Sequence, residues 1–130
     1  MIIVPDNGSG AFGTVHFIQE PGAQTRIIGD ISGLEPGLHG FHVHELGDLT
    51  EGCAGAGGVF SPDGVPIGDI GSIEADWYGN AWFDLYHPYV DLSGPNSVIG
   101  RAVVVHAHDS AASARLGCGV IGIGEYSDHE

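Results

Sequence analysis

Two histidine pairs carry the most chemistry in this 130-residue chain: His42-Val43-His44 and His106-Ala107-His108. Residues i and i+2 of an extended strand project to the same face. Each pair therefore presents two imidazoles side by side, which is half of a metal site. Imidazole suits copper and zinc, and three or four rings from two neighbouring strands would make a centre. His39, Phe41 and Val43 face the other way, where apolar groups can enter a core. Val103 and Val105 do the same behind His106 and His108. A lone pair of this kind also fits ordinary surface histidines. His106, closing a buried valine run, is placed at the mouth of a core, which favours ligation. His108 by itself reads as an exposed residue, with ligation as the alternative.

The elements that hold these pairs must be strands. The chain has 23 glycines and 7 prolines, helix-period patterns are scarce, and short apolar runs recur between turn-forming clusters. Strands are expected at residues 2–4, 11–19, 24–31, around His42 and His44 in the stretch 37–48, 69–76, 80–86, 98–108 and 115–126. Residues 47–68 read as a long irregular segment of the kind that often serves function. Eight strands, no repeat and no boundary imply one all-β sandwich or barrel domain over residues 1–130. His16 is expected at the surface. Trp77 and Tyr78 fall at the tip of a hairpin, where neighbours alternate in direction. At least one should be exposed, as part of a protein contact such as that of a homo-oligomer, unless Trp77 folds back over the barrel end.

The net charge is −14, with Arg26, Arg101 and Arg115 as the only Lys or Arg residues. That charge argues against nucleic acid and anionic membrane surfaces as partners. No apolar run is long enough to span a bilayer. The first residues lack the charged and apolar regions of a signal peptide, so a secreted protein would be in a mature or trimmed form. Cys53 and Cys118 are the only cysteines. They suggest one long-range disulfide and an oxidising, extracellular compartment; two buried thiols of a cytosolic protein are the alternative.

The stretch Gly37-Leu38-His39-Gly40-Phe41-His42-Val43-His44-Glu45-Leu46-Gly47-Asp48 resembles the signature of the copper/zinc superoxide dismutases. So do Gly68-Asp69-Ile70-Gly71, Leu92-Ser93-Gly94, Ile99-Gly100-Arg101, Val104-Val105-His106 and Arg115-Leu116-Gly117-Cys118-Gly119-Val120-Ile121-Gly122. The resemblance covers nearly the whole chain in order. It implies an eight-stranded antiparallel Greek-key β-barrel. It also implies copper at His42, His44 and His106, with His39 as a structural histidine bonding backbone behind them. Cys53 and Cys118 match the family disulfide, and Arg115 matches the arginine that holds the superoxide anion beside the metal. Members of the family are often dimers.

The departures are as informative. The family's bridging histidine precedes the Phe of an Ala-Gly-x-His-Phe segment; here Ala56-Gly57-Gly58-Val59-Phe60 puts valine there. Residues 61–67 contain no histidine, and Asp69 is the only zinc ligand left. One carboxylate cannot hold zinc, which takes four ligands in structural sites. No zinc is therefore expected in that site, and Asp69 reads as a hydrogen-bonding residue. The long charged loop after the last copper ligand is shortened to residues 108–114, which leaves the site open and any steering of superoxide to Arg115.

Two functions follow. One is a copper-only superoxide dismutase that converts superoxide to oxygen and hydrogen peroxide. The other is a non-catalytic metal-binding or structural extracellular protein on the same scaffold, similar to the histidine- and aspartate-rich haemolymph proteins of bivalves. Zinc at the three histidines, with water as a fourth ligand, would suit hydrolysis, although nothing else in the chain indicates such a substrate.

Overall fold

The computed structural model describes residues 1–125. Among the described residues there are nine strands: β1 (Ile2–Pro5), β2 (Phe12–Ile18), β3 (Thr25–Ser32), β4 (Gly37–His44), β5 (Thr50–Cys53), β6 (Asp69–Ala75), β7 (Ala81–His87), β8 (Ala102–His106) and β9 (Arg115–Val120). Eight form one antiparallel sheet in the order β6-β4-β8-β9-β1-β2-β3-β7. Non-sequential neighbours such as β4 and β8, or β3 and β7, give the Greek-key crossing. The ends of the order, β6 and β7, are joined by the turn at residues 76–80, so the sheet curls into a nearly closed barrel.

Alternation builds the walls. In β3, Thr25, Ile27, Gly29 and Ile31 are buried, and their partners across the register include Phe17, Val15, Leu85 and Phe83. These residues meet Phe41, Val43, Val103 and Val105 inside the barrel, and the Phe41 and Phe83 rings pack with centroids 5.0 Å apart. Burying a side chain of this size contributes roughly 1.5–3 kcal/mol. A second, smaller cluster of Cys53, Ala56, Ala102, Val104 and Cys118 lies on the opposite face of β8 and β9. The Cys53–Cys118 disulfide is formed, with an S–S distance of 2.08 Å, and ties β5 to β9.

The hairpin tip is fixed by Asp76, whose Oδ1 accepts the backbone N–H of Tyr78 and of Asn80 at 2.9 and 3.0 Å. Gly79 follows at φ +82°, and a Cβ there would lie 2.4 Å from the Leu34 carbonyl oxygen. Only glycine satisfies both the left-handed backbone and that close approach. Trp77 and Tyr78 are both exposed, at 89% and 87%.

Three expectations shift at their edges. β8 starts at Ala102, because residues 98–101 turn through Gly100 at φ +88° and Arg101 N–H donates to the Val98 carbonyl. β9 ends at Val120, and Tyr126 lies outside the described residues. The segment expected to be irregular contains β5, held to the barrel by its cysteine. His16, expected at the surface, is half-buried. No helix among the described residues is long and apolar enough to cross a membrane.

Candidate metal centre

β4 lies between β6 and β8, and its register with β8 pairs His42 with Val104 and His44 with Ala102. His42, His44 and His106 therefore project from the same face of adjacent strands. Two register shifts flank them, between Phe41 and His42 against β6 and between Val105 and His106 against β9. Such bulges re-aim side chains, and each one here is next to a histidine of the group. Gly40 makes the remaining room: a Cβ there would lie 2.9 Å from the His42 ring.

All three rings are buried. One nitrogen from each converges, all within 4.8 Å of one another, and this is the one such group among the described residues. Hydrogen bonding fixes which nitrogens they are. His44 Nδ1 is 2.8 Å from the Gly57 carbonyl oxygen, and His106 Nδ1 is 3.1 Å from that of Ser113. A carbonyl only accepts, so both Nδ1 atoms carry the hydrogen and both Nε2 atoms present lone pairs. Those Nε2 atoms lie 3.2 Å apart. His42 Nε2 is 3.4 Å from Asp69 Oδ1, a carboxylate proximity that favours the hydrogen on Nε2 and the lone pair on Nδ1. That Nδ1 is buried with no hydrogen-bond partner, alone among the buried side-chain polar atoms of the described residues. Three lone pairs facing one another without a donor leave a deficit that a cation fills. The donor set is the soft-to-borderline nitrogen set of copper or zinc.

Electrostatics keeps the rings ready. Burial pushes the pKa of all three below the ordinary histidine value, His44 down to about 4. The Gly57 carbonyl opposes this at His44, the Ser113 carbonyl at His106, and Asp69 and Asp109 at His42. The Arg115 guanidinium adds to it at His44 and His106. Neutral imidazole is the ligating form.

Arg115 stands opposite His106 in the β8–β9 register, and its Nη1 donates to the Cys53 carbonyl oxygen at 2.9 Å. His39, on the core side of β4, places Nδ1 2.8 Å from the His106 carbonyl and Nε2 2.7 Å from that of Glu35. It bonds backbone across two segments and offers nothing to the centre. Asp69 is exposed and, of the three converging rings, reaches only His42. His108 is exposed and outside the group, because the chain leaves β8 at His106. Val59 forms an isolated bridge to His44, so valine, not a fourth imidazole, occupies that side. The sequence held no sign of Gly57 and Ser113, whose contributions are backbone carbonyls. Asp6, which accepts the Cys53 N–H at 2.7 Å, was also missed, as a turn residue far along the chain.

The family model described as copper/zinc superoxide dismutase (SODC) matches residues 11–121. The chain is similar to Superoxide dismutase [Cu-Zn] 2 of Brassica juncea, at 40% identity over 146 aligned positions covering 94% of this chain and 96% of that protein. That alignment is longer than the chain itself, so the relative carries stretches that are absent here.

Proposed function

The chain belongs to the copper/zinc superoxide dismutase family, and from that premise we propose that it dismutes superoxide with copper alone, held by His42, His44 and His106. The observation that carries this reading is the convergence of three buried lone pairs, one of them on an unpartnered Nδ1. Copper, when bound, supplies the alternation between Cu(II) and Cu(I) by which one superoxide is oxidised to oxygen and the next is reduced to peroxide.

The protein's part is positional and electrostatic. His44 and His106 are oriented by carbonyls behind them, and His42 by Asp69, the kind of outer contact that fixes tautomer and ring angle. Arg115, tethered through Cys53, supplies the fixed positive charge for an incoming anion. The −14 net charge offers no long-range attraction, so capture is local. No fourth imidazole stands at Val59, and protons for the departing peroxide come from solvent through the open side at Asp69. Asp69, with no histidine in residues 61–67, is too few ligands for zinc, and we assign zinc no site in this chain. The disulfide supports an oxidising, extracellular compartment.

The test is metal content and dismutase rate of protein loaded with copper alone. One copper per chain with activity, and no gain on adding zinc, is the expected result. Copper bound without dismutation would make the scaffold a metal-holding or structural protein instead.

A further inference from the structure

We infer that the β1–β2 turn, through Asp6 and Asn7, is the positioning device for the Arg115 guanidinium; this rests on the proposed role of Arg115 as the anion-holding group. Arg115 Nη1 donates to the Cys53 carbonyl at 2.9 Å. The N–H of that same residue, Cys53, donates to Asp6 Oδ2 at 2.7 Å. Asp6 thus holds the residue whose carbonyl holds the guanidinium, through the N–H on the other side of the same Cα. The adjacent Asn7 reaches the other end of the same arginine: its Nδ2 donates to the Arg115 backbone carbonyl at 2.8 Å. Asp6 N–H and Ser9 Oγ both donate to the carbonyl of Leu116, the next residue. One turn therefore fixes the backbone of Arg115 directly and its side chain through Cys53.

The local sequence is built for this. Asn7 and Gly8 take positive φ in succession, 54° and 73°, which turns the chain tightly enough to aim both side chains at β9 and β5. Gly52, before Cys53, has φ +76°, and a Cβ there would lie 2.9 Å from Asp6 Oδ2. Glycine leaves the carboxylate free to reach the Cys53 N–H. The disulfide joins Cys53 to Cys118 but does not fix the direction of the Cys53 carbonyl, since the peptide can rotate about a tethered Cα. The carboxylate anchors the N–H on the near side of that Cα, and with Cys53 at φ −67° and ψ −19° this leaves the carbonyl on the far side less freedom to swing away from Arg115.

The test uses copper-loaded, disulfide-intact protein and the affinity for azide, a small anion, read from the copper absorption band at about 0.15 M salt, where charges are screened beyond about 8 Å. Asp6→Ala should weaken azide about 3- to 10-fold, the range of one modest hydrogen-bond loss, and speed hydrogen exchange at the Cys53 amide, while copper content is retained. Asp6→Asn keeps an acceptor and should restore both readings towards wild type. Asn7→Ala should weaken azide less. Azide affinity unchanged in Asp6→Ala but lowered in Arg115→Ala overturns the positioning role and leaves Arg115 its own. Equal losses in Asp6→Ala and Asp6→Asn overturn it too, because asparagine keeps an oxygen acceptor for the Cys53 N–H and should keep the tether. No effect in Arg115→Ala removes the anion-holding reading, and the positioning inference falls with it.

Discussion

His44 Nε2 and His106 Nε2 lie 3.2 Å apart, each with its lone pair turned towards the other because its Nδ1 hydrogen is committed to a carbonyl. With no donor between them, the arrangement is unfavourable until a cation enters. The same holds for the orphaned Nδ1 of His42. The predictions that follow start from this pairing.

Removing two of the three nitrogens should abolish specific metal binding. His42→Ala/His44→Ala is expected to weaken copper by more than about 100-fold, beyond the 10–100-fold that losing an outer-shell partner costs. Competition against a chelator of known affinity measures it. Unchanged affinity and an unchanged copper spectrum would sink the assignment.

The metal-free protein should lose stability in mild acid. The three buried rings have depressed pKa values, with His44 at about 4. The unfolded chain takes up protons near pH 6.5, so below that point it binds more of them than the folded chain does. Stability is therefore full above about pH 6.5 and falls as the pH drops towards about 4. Melting temperatures from pH 8 to pH 4 should show the decline and a shallower one in His44→Asn, while a variant slope equal to wild type would assign it to other groups.

Two charge reversals separate local from global electrostatics. Arg115→Glu and Arg26→Glu change the net charge equally, but Arg26 is paired with Asp84 at 2.7 Å on the outer face of β3 and β7. Arg115→Glu is expected to lower the dismutase rate about 10-fold or more, and Arg26→Glu less than about twofold, when the attraction is local. Comparable losses would mean that the whole-molecule field governs capture.

The hairpin tip offers a test of assembly. Both Trp77 and Tyr78 are exposed, so Trp77→Ser/Tyr78→Ser should change stability by less than about 0.5 kcal/mol. Exposed aromatics are favoured at protein contacts, and the double variant is expected to sediment at a lower mass than wild type. A monomeric wild type, or an oligomer that ignores the change, rules out this contact.

Much of the centre was legible because strand periodicity is local. Once the stretch around His42 and His44 is read as extended, the two histidines must share a face and Phe41 and Val43 must share the other, whatever the rest of the chain does. The valine run before His106 declares a buried strand in the same way, and glycine-rich punctuation declares a β-fold. Charge and the isolated Asp69 are composition, which folding leaves unaltered.

The tertiary structure decided what depends on chain closure. The tautomers of His44 and His106 are set by the carbonyls of Gly57 and Ser113, and every residue has a carbonyl, so no side chain announces these two. The exclusion of His108 depends on where β8 ends. The short strand β5 is tied to β9 through the bond from Cys53 to Cys118, 65 residues away. The contact of Asn7 with Arg115 spans 108 positions. By itself the sequence determined which side chains could ligate and which faces they share, since both follow from side-chain chemistry and a two-residue period. Only the folded barrel decided which lone pairs meet, because that depends on backbone groups brought together from opposite ends of the chain.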